Sequence, residues 1–183
     1  MKTPFLIGLR LTAVCAFLFC GLYIFSILGI SKLVPEDIAF AKNESGFYEN
    51  VGQTFTTDRY FWSRPSAVDY NAAASGGSNK GPSNPEYLAT VKARIDTLLA
   101  HNPGLKKSDI PSDLVTASGS GLDANISVAS AQIQVNRIAK VRNIEIEKLK
   151  KLVEAHIEKP FLGVFGTTKI NVVKLNAALD KLK

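Results

Sequence analysis

From Leu11 to Ser31 the chain carries no charged residue: LTAVCAFLFCGLYIFSILGIS, 21 positions between Arg10 and Lys32. As a helix rising 1.5 Å per residue, such a run covers about 30 Å, the thickness of a bilayer's hydrocarbon core. Gly21 and Gly29 do not oppose this, because glycine is common in membrane spans. The rival reading is a cleaved signal peptide, with Lys2 and Arg10 as its basic start and Ala39-Phe40-Ala41 as its cleavage triplet. A signal's apolar region runs about 7–15 residues, and this one is longer and separated from the triplet by Glu36 and Asp37. An uncleaved single-pass anchor is therefore expected, with segment 1–10 as a tail and 11–31 as the span.

The residues flanking the span orient it. Lys2 and Arg10 precede it without an acid, whereas Lys32, Glu36, Asp37, Lys42, Glu44 and Glu49 follow. This bias predicts a cytoplasmic N-terminus and places residues 32–183 outside the cytoplasm. Setting Lys2 and Arg10 aside leaves 20 of the 22 basic residues against 16 acidic ones, so the formal charge of +6 is diluted there and nucleic acid is not an expected partner. Cys15 and Cys20, the two cysteines, both lie in the span, which excludes a disulfide scaffold for the rest. With two histidines and no CxxC pair, a zinc site lacks material, and no metal is expected. Ala13, Ala16 and Cys20 put small residues at helical spacing, where another membrane helix could approach or lipid could lie.

Residues 32–70 read as a stem that ends in Tyr60-Phe61-Trp62-Ser63-Arg64-Pro65. Of three consecutive aromatics, some are expected to face a partner or the headgroup layer; the alternative is a strand burying Phe61 and exposing Tyr60 and Trp62. Residues 71–85, NAAASGGSNKGPSNP, have the composition of a flexible linker. Residues 71–183 then form one domain. Asn84 caps a helix with Pro85 at its first position and Leu88, Val91, Ile95, Leu98 and Leu99 inward, ending at His101-Asn102-Pro103-Gly104. His101 is expected to complement that terminus. Leu114-Val115-Thr116 suggests a short strand, Ser127 caps a second helix burying Val128, Ala131, Val135 and Ile138, and a third spans about 145–157 with Ile146, Leu149, Leu152 and Val153 inward. Glu147 and Lys151 can pair one turn apart. Lys169 to Val173 looks like a strand, and a closing helix runs through Leu175, Leu179 and Leu182. The expected fold is α+β: one N-terminal transmembrane helix followed by a helix-rich extracytoplasmic α+β domain.

Gly119-Ser120-Gly121-Leu122-Asp123-Ala124 formally fits a relaxed dinucleotide fingerprint, but the succession of βαβ units such a site needs is missing. Gly76 and Gly81 have P-loop spacing, with Pro82 where the lysine belongs. Ser118 or Ser120 with His101 or His156 would supply a serine nucleophile and base, without the GxSxG elbow. Two Gly/Ser/Asn loops remain, each before a helix start, where backbone N–H groups suit anions, carboxylates or partner carbonyls, or simply cap. Arg137, Lys140, Arg142, Lys148, Lys150 and Lys151 read as a solvated basic face.

At these loops the sequence resembles the C subunit of the bacterial Kdp potassium-transporting ATPase. The matching residues are Tyr60-Phe61-Trp62-Ser63-Arg64-Pro65-Ser66, Ala74-Ser75-Gly76-Gly77-Ser78-Asn79, Gly81-Pro82-Ser83-Asn84-Pro85, Ile110-Pro111 and Asp113 through Asp123. Ile126-Ser127, Gln134-Val135, Arg137-Ile138-Ala139 and Asn171-Val172-Val173 with Leu175-Asn176 extend the match over most of residues 60–180. Ala124 and Thr167-Thr168 depart from the family's pattern beside loops. The resemblance implies an accessory, non-catalytic subunit of a bacterial inner-membrane complex, assembled with a channel-like potassium subunit, a P-type ATPase subunit and a small fourth membrane subunit. It also implies a catalytic chaperone that raises the ATPase subunit's affinity for ATP. In the family, the loop corresponding to Ser118-Gly119-Ser120-Gly121 is likened to the nucleotide-embracing signature of ABC transporters, with Gln134 as a further candidate. Trp62, Arg64, Gly76, Gly77, Ser78, Asn79 and Asp123 join them as partner or nucleotide contacts. An external domain does not meet cytoplasmic ATP, so the physical reading favours bracing the channel subunit over touching ATP, the bilayer being a further partner. A free-standing anchored binding protein and a serine hydrolase are the alternatives.

Overall fold

The uncharged run is helical throughout. A computed structural model describes residues 2–35, 42 and 46–182, so the Ala39-Phe40-Ala41 triplet and the acids Glu36, Asp37 and Glu44 lie outside the described residues. The chain divides into two compact units, Met1–Ala41 and Lys42–Lys183. In the first, α1 (Lys2–Cys15) continues through a π-helical stretch (Ala16–Leu22) into α2 (Tyr23–Ser31). Thr3–Ser31 is one helix long and apolar enough to cross a membrane. Its two serine hydroxyls bond the helix's own carbonyls: Ser26 Oγ donates to Leu22 O at 2.6 Å and Ser31 Oγ to Leu28 O at 2.9 Å.

The second unit is a mixed α+β domain. Its helices are α3 (Pro85–His101), α4 (Val128–Gln132), α5 (Val135–Arg142), α6 (Ile146–Ala155) and α7 (Val172–Lys181). Its strands are β1 (Asn125–Ile126), β2 (Ile157–Glu158) and β3 (Lys169–Asn171). They form an antiparallel sheet in the order β1-β3-β2, with Ile126 opposite Ile170 and Ile157 opposite Ile170 on its other side. Ile170 is thus central and fully buried, and Ile138, Leu149, Leu175 and Leu179 join it in one core.

Capping explains most boundaries. Asn84 accepts a hydrogen bond from Tyr87 N, and Ser127 from Ser130 N, as their positions predict. The second helix nevertheless divides: Gln134 N bonds Ala131 O, three residues back, and the tight turn points the Gln134 amide inward between α4 and α5. Asn171 is a cap that sequence periodicity missed. Its side chain accepts from Lys174 N at 3.1 Å, so the strand expected to reach Val173 stops at Asn171 and the two valines start α7. The strand expected at 114–116 is instead a 3-10 turn, Ser112–Leu114, set by the fixed φ of Pro111. The Asp113 carboxylate holds that turn against α4, accepting from Ser127 N at 2.7 Å and Ser130 Oγ at 2.7 Å.

Several side chains depart from their expected faces. Leu88 is 51% exposed and Ile146 42%, because both lie in the first turns of helices whose packing begins further along. Glu147 pairs with Lys150 at 2.7 Å rather than Lys151. Residues 46–70, expected as a stem, belong to the domain: Phe61 is fully buried and exchanges two hydrogen bonds with the Asn176 amide, at 2.9 and 3.0 Å. No strand forms there. Side-chain amides take the place of a neighbouring strand in satisfying the Phe61 and Trp62 backbone.

Candidate functional site

The two Gly/Ser/Asn loops meet. Gly76 N donates to Ser120 O at 2.9 Å, and Ser75 Oγ donates to the same oxygen at 2.9 Å. Both loops need glycine at the junction. A Cβ on Gly77 would sit 3.2 Å from Gly119 O, and one on Gly121, whose φ is +69°, would lie 2.8 Å from Gly76 O and press on Val68. Segment 71–85 has a linker's composition but is docked here rather than free.

Ser66 ties the junction to the aromatic segment. Its hydroxyl donates to Gly121 O at 2.7 Å and accepts from Tyr70 N at 3.0 Å. The Tyr70 hydroxyl donates to Arg64 O. Burial pushes the Tyr70 phenol above its ordinary value of 10.0; Asp123 adds to the rise, while the Ser63 hydrogen bond and Arg64 oppose it. Arg64 pairs with Asp123 at 2.9 Å, and the other Asp123 oxygen accepts from Asn125 N at 2.9 Å. Arg64 Nε and Asn125 Oδ1 are buried atoms without a protein partner, and both residues line a polar cleft of about 400 Å³ together with Asp113, Ser127 and Lys169.

A second cluster lies beneath Trp62. Gln134 is fully buried: its Oε1 accepts from Trp62 N at 2.7 Å and from Arg137 Nη2 at 2.6 Å, and its Nε2 donates to Ser130 O at 2.9 Å. Arg137 also donates to Tyr60 O at 3.1 Å and Asn102 Oδ1 at 3.1 Å, and its guanidinium lies 4.6 Å from the Trp62 ring centre. Burial pushes its pKa down to about 10, against the pull of Asp58. Arg142 stacks on Tyr60 at 4.8 Å and reaches Asp180 at 2.6 Å. The basic face expected from the sequence is thereby corrected for these two arginines, whose guanidiniums face backbone carbonyls and rings; Lys140, Lys148, Lys150 and Lys151 are exposed. The Trp62 indole donates to Thr57 O at 3.0 Å. A larger cleft, about 590 Å³, runs beside Trp62, Tyr70, Arg94, Leu98 and His101.

The structure thus gathers Gly76, Gly77, Ser118, Gly119, Ser120 and Gly121 into one junction, with Arg64 and Asp123 beside it. Ser78 and Asn79 are exposed, Asn79 with φ +52°. Trp62 and Gln134 belong to the other cluster. Sequence reading missed Ser66, Tyr70, Asn102 and Arg137 as members; a buried arginine beside aromatics has no periodic signature.

Two chemistries can be tested on this geometry. Ser118 Oγ accepts from Gly121 N at 2.9 Å and Ser120 Oγ from Leu122 N at 3.1 Å, while His101 bonds Asp58 at 2.8 Å and His156 bonds Leu152 O at 2.8 Å. Neither histidine is hydrogen-bonded to either serine. A nucleotide phosphate would need free N–H donors at the junction. The N–H groups of Gly76, Ser118, Gly121 and Leu122 already donate internally, and the charged side chain at the loop's end is the acid Asp123, paired to Arg64.

A family model described as KdpC, K+-transporting ATPase, c chain, matches residues 5–181. The potassium-transporting ATPase KdpC subunit of Flavobacterium psychrophilum is 53% identical over 188 residues, covering 100% of both chains. That of Flavobacterium johnsoniae is 54% identical over 180 residues, 96% of each chain. That of Bacteroides fragilis is 56% identical over 136 residues, 73% of this chain and 71% of the relative.

Proposed function

Since this chain belongs to the KdpC family of K+-transporting ATPase subunits, we propose that it is a non-catalytic accessory subunit of an ATP-driven potassium-uptake complex in a bacterial inner membrane. It is held by its single N-terminal helix, N-terminus in the cytoplasm, and its α+β domain assembles against the channel-like subunit outside. Any effect on the ATP affinity of the P-type subunit is then indirect, carried by the anchor or by bracing of the complex, because the domain and cytoplasmic ATP lie on opposite sides of the membrane.

The observation that carries this reading is the closed loop junction. Ser120 O is taken by Gly76 N and Ser75 Oγ, and the Gln134 amide is fully committed to Trp62, Arg137 and Ser130. Residues occupied in this way support a shape-determining role for the loop over a nucleotide-holding one. The exposed rim at Ser78, Asn79, Gly119 and Ser120 is what the junction offers a neighbouring subunit.

Topology tests the proposal. A Ser120→Cys chain in intact cells is treated with a membrane-impermeant thiol reagent, with Cys15 and Cys20 expected to be shielded by lipid. Labelling without permeabilisation is the expected result. Protection until the membrane is opened would reverse the orientation and favour direct contact with ATP.

A further inference from the structure

Between Lys159 and Lys169 lie nine residues without a charge, Pro160-Phe161-Leu162-Gly163-Val164-Phe165-Gly166-Thr167-Thr168. They form the turn connecting β2 to β3. Phe161, Leu162, Val164 and Phe165 are 72%, 75%, 76% and 66% exposed, whereas no other large apolar side chain described in this unit exceeds the 51% of Leu88. Soluble surfaces rarely group such residues unless something covers them.

The backbone of the turn closes on itself. Phe161 and Phe165 exchange hydrogen bonds of 2.8 and 2.9 Å, Gly163 N donates to Pro160 O at 3.0 Å and Val164 N to Phe161 O at 3.2 Å. Leu162, Gly163 and Gly166 adopt φ of +53°, +73° and +96°, which the tight reversal requires. Four of the turn's N–H groups, those of Phe161, Gly163, Val164 and Phe165, are bonded internally, which lowers the cost of moving its apolar side chains from water towards lipid. A protein-facing surface usually offers about one hydrogen bond per 100–200 Å², yet no side chain from Phe161 to Gly166 carries a polar group. Lys159 and Lys169 stand at the two ends, Lys169 with Glu158 3.8 Å away, and long lysine stems let ammonium groups reach anionic headgroups while the tip lies deeper.

We infer that residues 160–168 are a second membrane attachment, the apolar tip Phe161–Phe165 entering the boundary between headgroups and acyl chains with Lys159 and Lys169 at the headgroups. This rests on reading the N-terminal helix as a membrane anchor, since the covalent span keeps the domain beside a bilayer and raises the effective concentration of lipid at the loop.

The test uses the full chain in nanodiscs of phosphatidylcholine and phosphatidylglycerol, carrying Cys15→Ala and Cys20→Ala. A fluorophore on Val164→Cys is expected to shift to shorter wavelength and to be quenched by lipid nitroxides about 5–10 Å below the headgroups. Phe165→Asp in the same chain should abolish that quenching. A separate label on Leu18→Cys reports on the anchor. Quenching at Leu18 with none at Val164 overturns the loop inference and leaves the anchor reading standing; quenching at neither overturns both. In the reconstituted transporter, shielding of Val164 from aqueous iodide without lipid quenching would assign the loop to a protein partner and also overturn the inference.

Discussion

Single residues carry much of this domain's specificity through side-chain hydrogen bonds to distant backbone. Gln134 is the clearest case. Replacing it by Leu leaves the Trp62 N–H without an acceptor and takes from Arg137 Nη2 one of its two, Tyr60 O remaining, each lost bond worth about 1–3 kcal/mol. Gln134→Leu is therefore expected to lower stability by about 2–4 kcal/mol, read as a fall in denaturant midpoint at unchanged slope. Gly121→Ala should also destabilise, by about 1–3 kcal/mol, because alanine is strained at φ +69° and its methyl group would press on Val68 and Gly76 O. Tyr70 gives a pH dependence. Its folded pKa is raised above the ordinary 10.0 mainly by burial, so above that value the unfolded chain loses the phenol proton first. Its contribution is whole below pH 10.0 and is lost as pH rises through the folded pKa. The direction at Lys174 agrees: burial works to lower it, but Glu49 and Glu158 together outweigh burial and raise it. Stability measured by denaturant titration should decline above about pH 10, and the decline should be smaller in Tyr70→Phe.

At the scale of elements, what could be read in the chain followed its local chemistry. The uncharged run, the Asn84-Pro85 and Ser127 helix starts and the inward Leu149 and Val153 of α6 all depend on near neighbours, and all form where expected. Asn171 was readable in principle, but its cap is masked by the β-branched Lys169–Val173 pattern, which tertiary packing divides between β3 and α7. Removing that cap tests the division. Asn171→Ala forfeits the bond from Lys174 N and the 2.7 Å bond to Glu49 O, and a loss of about 1–2 kcal/mol is expected by thermal or chemical unfolding. The site was legible in its loops and not in its interior. Gly and Ser clusters announce tight backbone at 74–79 and 118–121, whereas the burial of Arg137 under Trp62 depends on residues 75 positions apart and leaves no local trace.

For the whole molecule, membership of a potassium-transporting ATPase family sets the context in which the domain works. An accessory subunit should co-purify with the other subunits and yield no turnover alone. Ester or ATP hydrolysis by the purified full chain, lost in both Ser118→Ala and Ser120→Ala, would overturn the non-catalytic reading. The two-way hydrogen bond between Phe61 and Asn176 has a further consequence, for biosynthesis. Val172, Val173, Leu175, Asn176 and Leu179, buried in the same core, are made more than a hundred positions after Phe61. Until they leave the ribosome, Phe61 has neither its amide partner nor its apolar lid, and β3 is missing from the middle of its sheet. Contacts this distant in sequence form late, so the anchor can enter the bilayer while everything after it is still unfolded chain. A nascent protein stalled before residues 172–179 have emerged should remain protease-sensitive throughout residues 46–170, and folding should begin only once they are out of the ribosome.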